Sequence, residues 1–354
     1  MIGLRLVADD LPITSLLSRV LIALTIEVDN EFENRQPHFT SDYGPMRWQG
    51  VWLASWAMYA NFMRFVGDDG IRMGDLAAAV GHKPPAHNAY HAMRQWGYVT
   101  FHPDIPGSTA RKNDADAIVR CTALGRQARE NWSTIAGEMQ TRWNERGLAA
   151  LQAALIPVVD DIERFLPEYL PTVGFDRRQP ELVEPVSRPP IELDLLALLS
   201  QCLLAMAYDF EDKSEIALAT HSGLLNPLGD EFVSAVDLYE RSGIARKEWG
   251  SVMSQLPKRG LAEIGQKPKS IRLTPLGTAA RAEGAKVLSD VEQTWARHNG
   301  PRFESVRRVL ERVVGDAWSW TEPYPDGWRA KTKVPRRLAD FPIVSHRGGY
   351  PDGS

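Results

Sequence analysis

Cysteine is nearly missing from this chain: only Cys121 and Cys202 occur among 354 residues. Two cysteines cannot build a disulfide framework, so a reducing compartment is expected. Long apolar runs are missing as well. The most apolar N-terminal stretch, LLSRVLIALTI, is interrupted by Arg19 and stopped by Glu27. It is too short to span a bilayer, and it lacks the basic start and small-residue cleavage site of a signal peptide. A cytoplasmic protein without a membrane partner is the expectation. Excess positive charge is missing too. The formal net charge of −4 excludes a uniformly basic nucleic-acid coat, though not a local basic face. Finally, the chain carries no G-x-G-x-x-G, P-loop, G-x-S-x-G or H-E-x-x-H, the patterns that cradle phosphates, expose a nucleophile or hold zinc. No residue recommends itself for catalysis, and neither an enzyme nor a cofactor is expected.

What is present is a second copy. IVRCTALGRQARENW at 118–132 returns as SIRLTPLGTAARAEG at 270–284. At an offset of 152, Thr122 pairs with Thr274, Leu124 with Leu276, Ala128 with Ala280, Ile135 with Val287, Met139 with Val291 and Trp143 with Trp295. Steps of three and four mark one buried stripe of an amphipathic helix. Upstream, at slightly different offsets, Asp75-Leu76 pairs with Asp237-Leu238, Gly81 with Gly243, Gly97 with Gly260, and Glu31-Phe32-Glu33 with Asp209-Phe210-Glu211. That many pairs in one order point to tandem duplication, and the length suits two domains.

In the first copy the periodicity predicts a helix from Ser15 to about Arg35 and a second from about Pro45 to Val66. A very short strand follows at 71–73, then a helix capped by Asp75 and stopped by Gly81. The turn GHKPP leads to the helix AHNAYHAMRQW, ended by Gly97. Strands at 98–101 and 118–121 flank the loop HPDIPGSTARKNDAD, and Thr122 caps a long helix. A last helix covers about 148–159. The order is that of a winged helix-turn-helix with extra helices at both ends. In such a unit the helix after the turn can enter a major groove, and the hairpin wing can reach the backbone. The second copy repeats the order, with GIA as its turn, RKEWGSVMSQL as its candidate recognition helix and AEIGQKPKSIRLT as its wing.

The run DL…G…helix…WGYV…wing…RCTALG, followed by a long helix ending in a Trp-bearing turn, resembles the MarR family of winged-helix regulators. EVDNEFENR in the first helix and the tail segments YPDGWRA and HRGGYPDGS fit the same likeness. The resemblance covers about 15–160 and again 195–315. It implies a transcriptional regulator that binds double-stranded DNA as a two-fold dimer and is released by a small ligand. The family's wing presents Asp-x-Arg before its last strand. This chain departs from that pattern, with Ala115-Asp116-Ala117 and Lys267-Pro268-Lys269 there.

The expected fold is therefore mainly α with small β-wings: two MarR-like repeats that form a pseudo-dimer within one chain. Repeat 1 is placed at 1–165, a Pro-rich linker at 166–192, repeat 2 at 193–315 and a Trp/Pro/Gly-rich tail at 316–354. The linker's prolines favour an extended, semi-rigid connector. Further self-association is left open, and the tail is expected to drape over the body. Because the reading helices differ, an asymmetric site is expected, read by a repressor. The candidate DNA contacts of copy one are His87, Asn88, His91 and Arg94, with Arg111 and Lys112 in its wing. Those of copy two are Arg246, Lys247, Ser251 and Gln255, with Lys267, Lys269 and Arg272. Residues 240–275 hold eight basic side chains against three acidic, a net +5, while 75–120 hold five against four, a net +1. Phosphate contacts dominate affinity, so copy two is the stronger face. Pro257 is expected to end its reading helix early.

The richest aromatic stretch is MRWQGVWLASWAMYANFMRF. Trp48, Trp52, Trp56, Tyr59 and Phe62 fall within about a third of a helical turn. A stripe of this kind is core, or it is the wall of a pocket for a small aromatic or hydrophobic effector. Trp48, Trp52, Trp56 and Tyr59 are the candidate ligand contacts, with Ser55 or Asn61 as polar groups. Glu27, Asp29, Glu31 and Glu33 alternate around the first helix and are expected to be mostly solvated. His87 and His91 lack further metal-ligand partners, and no metal is expected. The alternative reading of the whole chain is an interaction or ligand-sensing scaffold that no longer binds DNA.

Overall fold

The computed structural model describes residues 11–35, 55–82, 93–94, 96–102, 116–171, 178–183, 194–243, 249–266, 269–317 and 337–342. Within these the chain is mainly helical with two small antiparallel sheets. None of the described helices is long and apolar enough to cross a membrane.

The first half begins with α1 (Ile13–Arg35) and α2 (Trp56–Asn61). The single helix expected through Val66 is broken at Phe62, whose backbone turns to φ −142° and ψ −60° before one 3-10 turn, Met63–Phe65. That break carries the Phe62 ring into the core, where it is fully buried and edge-on to His82. Strand β1 (Ile71–Arg72) and helix α3 (Met73–Val80) follow, then β2 (Val99–His102), β3 (Ile118–Cys121), α4 (Ala123–Glu145) and α5 (Ala149–Asp160). The second half runs α6 (Leu195–Glu211), a short α7 (Leu218–Thr220) that continues as a π-turn at His221–Leu225, β4 (Val233–Ser234) and α8 (Ala235–Ser242). It closes with α9 (Trp249–Lys258), β5 (Ala262–Gly265), β6 (Ser270–Leu273), α10 (Pro275–Asn299) and α11 (Pro301–Ala317). Pro257 removes only one hydrogen bond from the last turn of α9, so the helix runs on to Lys258 instead of ending early.

Both sheets share one topology, β1-β3-β2 and β4-β6-β5. Their registers correspond: Ile71 pairs with Val119 as Val233 pairs with Ile271, and Val99 with Cys121 as Ala262 with Leu273. The Thr-x-Leu-Gly motif has the same cause in each half. Thr122 Oγ1 accepts the Gly125 amide at 3.0 Å and donates to the Gly97 carbonyl at 2.6 Å. Thr274 Oγ1 accepts from Gly277 at 3.1 Å and donates to Gly260 at 2.6 Å. Each threonine thus caps the long helix and ties it to the turn before the hairpin. Glycine is needed three positions on because the hairpin backbone lies against it. A Cβ at Gly125 would sit 2.1 Å from the Tyr98 oxygen, and one at Gly277 1.9 Å from the Leu261 oxygen. The tryptophan ending the buried stripe donates to a carboxylate of the half's own first helix in both cases, Trp143 to Glu27 at 2.9 Å and Trp295 to Asp209 at 2.8 Å.

The halves do not stand apart. Helix α1 packs on α11 and on α6, and α5 packs on α6 and on α11. The first helix of each half is thereby clasped by the last helix of the other. Buried apolar residues of both halves, from Leu16 and Leu17 to Leu199 and Leu310, form one continuous core. Each fully buried leucine there contributes about 1.5–3 kcal/mol.

This packing corrects one expectation. Glu27, Asp29, Glu31 and Glu33 are buried, at 0–8% exposure. Helix α1 is covered on several sides, by α4 and α2 as well as α6 and α11. A helix so enclosed has no solvated face, and its carboxylates take partners instead. Glu27 meets Arg146 at 2.8 Å and the Trp143 indole, Glu31 meets Arg35 at 2.6 Å, and Asp29 accepts the Trp56 amide at 2.7 Å.

Candidate nucleic-acid interface and aromatic cavity

The hairpin and the two helices before it position the basic residues of the second half. Ser234 caps α8, accepting from Asp237 at 3.2 Å, and Gly243 closes it in the left-handed region, φ +70°. Arg241 at the end of α8, Lys258 and Arg259 at the end of α9, and Lys269 before β6 are all exposed. Gln255 is half-buried on α9. Arg272 on β6 is not a free cation. It is bonded to Glu263 across the hairpin and lies 4.5 Å from the Phe232 ring centre. Ser251 lies on α9. Arg246, Lys247 and Lys267 fall outside the described residues, as do His87, Asn88, His91, Arg111, Lys112, Trp48 and Trp52.

In the first half Arg94 is exposed, 5.9 Å from the Phe101 ring centre. The other sheet cations are engaged: Arg72 lies 3.6 Å from Asp116, and Arg120 donates to the Asp69 carbonyl at 3.3 Å. The Cys121 thiol donates to the Val66 carbonyl at 3.2 Å, and burial pushes its pKa up. That shift works against the low-pKa thiolate that redox sensing uses. No cluster of His, Cys, Asp and Glu able to hold a metal exists among the described residues.

Trp56 and Tyr59 are buried in an aromatic cluster beside α1. Phe32 stacks on Trp132 with ring centres 4.0 Å apart. Trp56 lies 5.5 Å from Trp132 and 5.3 Å from Tyr59, and Tyr59 lies 5.8 Å from Trp132. Tyr169, from the segment after α5, closes the group edge-on to Trp56 at 5.5 Å. Among the described residues the buried indole N–H groups of Trp56 and Trp132 meet no acceptor. Tyr169 is held by its bond to Asp194 Oδ2 at 2.5 Å and by Arg64, which lies over its ring and pairs with Glu168 at 2.5 Å. Burial pushes the Tyr169 phenol well up, so it stays protonated and donates to Asp194, whose own pKa burial also raises.

Beside this cluster lies a cavity of about 40 Å³, walled by Leu21, Ile22 and Thr25 of α1, Trp56, Ala60 and Asn61 of α2, Tyr169 and Leu170, Ser200 of α6, and Pro342 of the C-terminal segment. Among the described lining residues none is charged. Sequence reasoning found Trp56 and Asn61 but not the walls supplied by Tyr169, Ser200 and Pro342, which are distant in the chain. Among the described residues the second half has no such cluster. At the position of Trp132 it has Gly284, and the His221 ring fills the space, 5.6 Å from Phe210. Compared with protein-family models, curated proteins and solved structures, the chain finds no match in any of the three.

Proposed function

We propose that this chain is a DNA-binding transcriptional repressor: two MarR-like winged-helix repeats form a pseudo-dimer in one polypeptide and read an asymmetric double-stranded site. What supports the architecture is the agreement of the two halves, element by element, in sheet order, threonine cap, glycine contact and tryptophan–carboxylate bond. The observation that carries the DNA reading is the exposure of Arg241 at the end of α8, Lys258 at the end of α9 and Lys269 before β6. Lysine and arginine so placed would neutralise phosphates, the sequence-independent source of affinity. The first half, with its nearly balanced charge, contributes register more than affinity. A small aromatic or hydrophobic effector is assigned to the cavity beside Trp56 and Tyr59.

A gel shift with genomic-fragment DNA at increasing salt tests this reading. Binding should weaken steeply with salt, and the double change Arg246→Ala with Lys247→Ala should weaken it at every salt concentration. Binding that is unaffected by both would remove the second half as the anchor. A scaffold without DNA binding is favoured by one observation, the engagement of Arg272 by Glu263 and Phe232. That reading predicts no shift at any salt.

A further inference from the structure

In each half a stretch of chain beyond the last helix touches that half's own short helix and the first helix of the other half. In the first half this stretch is 178–183. Val183 donates to the Gly81 carbonyl at 3.1 Å, and Leu182 bridges His82. A few residues earlier it meets α6 of the second half. There the Gln179 amide donates to Glu211 Oε2 at 2.8 Å, and the Tyr208 hydroxyl donates to the Pro180 carbonyl at 2.5 Å. In the second half the stretch is 337–342. A Cβ at Gly243 would lie 2.5 Å from the Arg337 oxygen and 2.8 Å from the Ala339 nitrogen, so its backbone rests on the end of α8. It then crosses to α1 of the first half. Asp340 Oδ1 accepts two bonds from Arg19, at 3.0 and 2.7 Å, and the Ala339 carbonyl accepts from Ser18 at 3.0 Å. Phe341 is fully buried in the main core, and Leu338 and Ala339 pack on Ile22, Ala23 and Ile26. Both stretches are tied at both ends.

Gly81 and Gly243 are counterparts. Each ends an eight-residue helix, α3 or α8, in the left-handed region, φ +92° and +70°. Helices so short do not hold themselves. Helix α3 buries Leu76 and Val80 and packs chiefly on β1 and the 3-10 turn, and α8 buries Leu238 and Tyr239 and packs chiefly on β4. On the far side of each sheet, the threonine cap joins the hairpin to the long helix. A body held along one edge can hinge about it, and a second anchorage on another element removes that freedom. Here the second anchorage belongs to the opposite half. The two anchorages are not alike: Ser18 and Arg19 lie in the second turn of α1, whereas Tyr208 and Glu211 lie in the last turn of α6.

We propose that 178–183 and 337–342 are crossed braces: Ser18 and Arg19 of the first half position the second half's reading head, Tyr208 and Glu211 of the second half position the first half's, and the spacing of the two half-sites is thereby fixed. All four are positioning residues, acting through the brace and not on DNA. Their unlike docking places hold the heads off a strict two-fold, as an asymmetric site requires. The inference rests on the proposed function only for the half-sites, and the braces themselves are tested without DNA.

Amide hydrogen exchange of the full-length chain is followed over 73–82 and 235–243. Arg19→Gln should speed exchange in 235–243 about tenfold and leave 73–82 at the wild-type rate. Should Arg19→Gln fail to fold, Ser18→Ala is the milder change and should act the same way by about fivefold. Tyr208→Phe, which keeps the ring and removes the bond to Pro180, should speed 73–82 about fivefold and leave 235–243 alone. Each substitution thus loosens the head of the half to which it does not belong. Exchange that rises in the substituted half's own head, in both heads together or in neither overturns the braces. The duplex that the wild type selects from a random pool is then lengthened by one base pair between its half-sites, a shift of about 3.4 Å. The wild type should lose about tenfold in affinity, and Arg19→Gln clearly less. Equal losses overturn the spacing role. A wild type that selects no duplex, in a protein whose variants show the crossed exchange, keeps the braces and sinks the repressor.

Discussion

Gln140 and Glu292 stand 152 residues apart, and each accepts the first backbone N–H of the opposite half's first helix: Leu195 donates to Gln140 Oε1 at 3.2 Å, and Ile13 donates to Glu292 Oε1 at 2.6 Å. Each is braced from the last helix of its own half, Gln140 by Gln152 at 2.9 Å and Glu292 by Arg307 at 3.0 Å. One arrangement is built from two amides, the other from an ion pair. A helix's first amides lack intrahelical partners, so here each half completes a helix of the other.

Removing the charged version should cost more than removing the neutral one. Glu292→Ala leaves Arg307, only 21% exposed, without its main carboxylate and should cost about 2–3 kcal/mol. Gln140→Ala should cost about 1 kcal/mol. Urea unfolding checks both. Because the two halves share one core, each variant should still unfold in a single transition, and two separated transitions would count against the clasp.

Gly277→Ala places a methyl 1.9 Å from the Leu261 carbonyl oxygen, a backbone atom that cannot step aside. The long helix and the hairpin must separate, at a cost of at least about 3 kcal/mol. Gly315→Ala, where an added Cβ meets nothing within 4 Å, should change little. Thermal unfolding of the pair checks this, and equal melting temperatures would contradict the account.

These glycines show how much could be read from the chain. The recurrence of Thr-x-Leu-Gly located cap, hairpin and long helix, because local bonds within 30 residues cause all three. The burial of Glu27 to Glu33 was illegible because the helix wheel reports only a helix's own faces, and the covers of α1 come from α4, α6 and α11, far along the chain. The cavity was half legible. Trp56 and Asn61 lie on one helix, but Tyr169, Ser200 and Pro342 arrive by tertiary packing. The substitution of His221 for Trp132 was hidden too, since the ring comes from a different element and only Gly284 marks the exchange.

His221 makes stability depend on pH. Its Nε2 lies 3.2 Å from the Arg281 carbonyl, and burial, helped by the Arg281 charge, lowers its pKa below the usual 6.5. Below that value the unfolded chain binds a proton that the folded chain resists. The contribution is therefore complete above about pH 6.5 and is lost as pH falls, at no more than about 1.4 kcal/mol per pH unit. Buried Glu211 and Glu292, whose pKa values burial raises, act in the opposite sense nearer the carboxylate range. The difference between wild type and His221→Phe isolates the histidine. Denaturant midpoints between pH 5 and 8 should converge toward low pH, and parallel curves would contradict the assignment.

The most direct measurement is affinity selection from a pool of random duplexes by the full-length chain. Two unlike reading helices held by one core should enrich a site with two different half-sites, centred about 34 Å apart along the duplex. Enrichment of a palindrome, or of nothing above the input pool, would contradict the account.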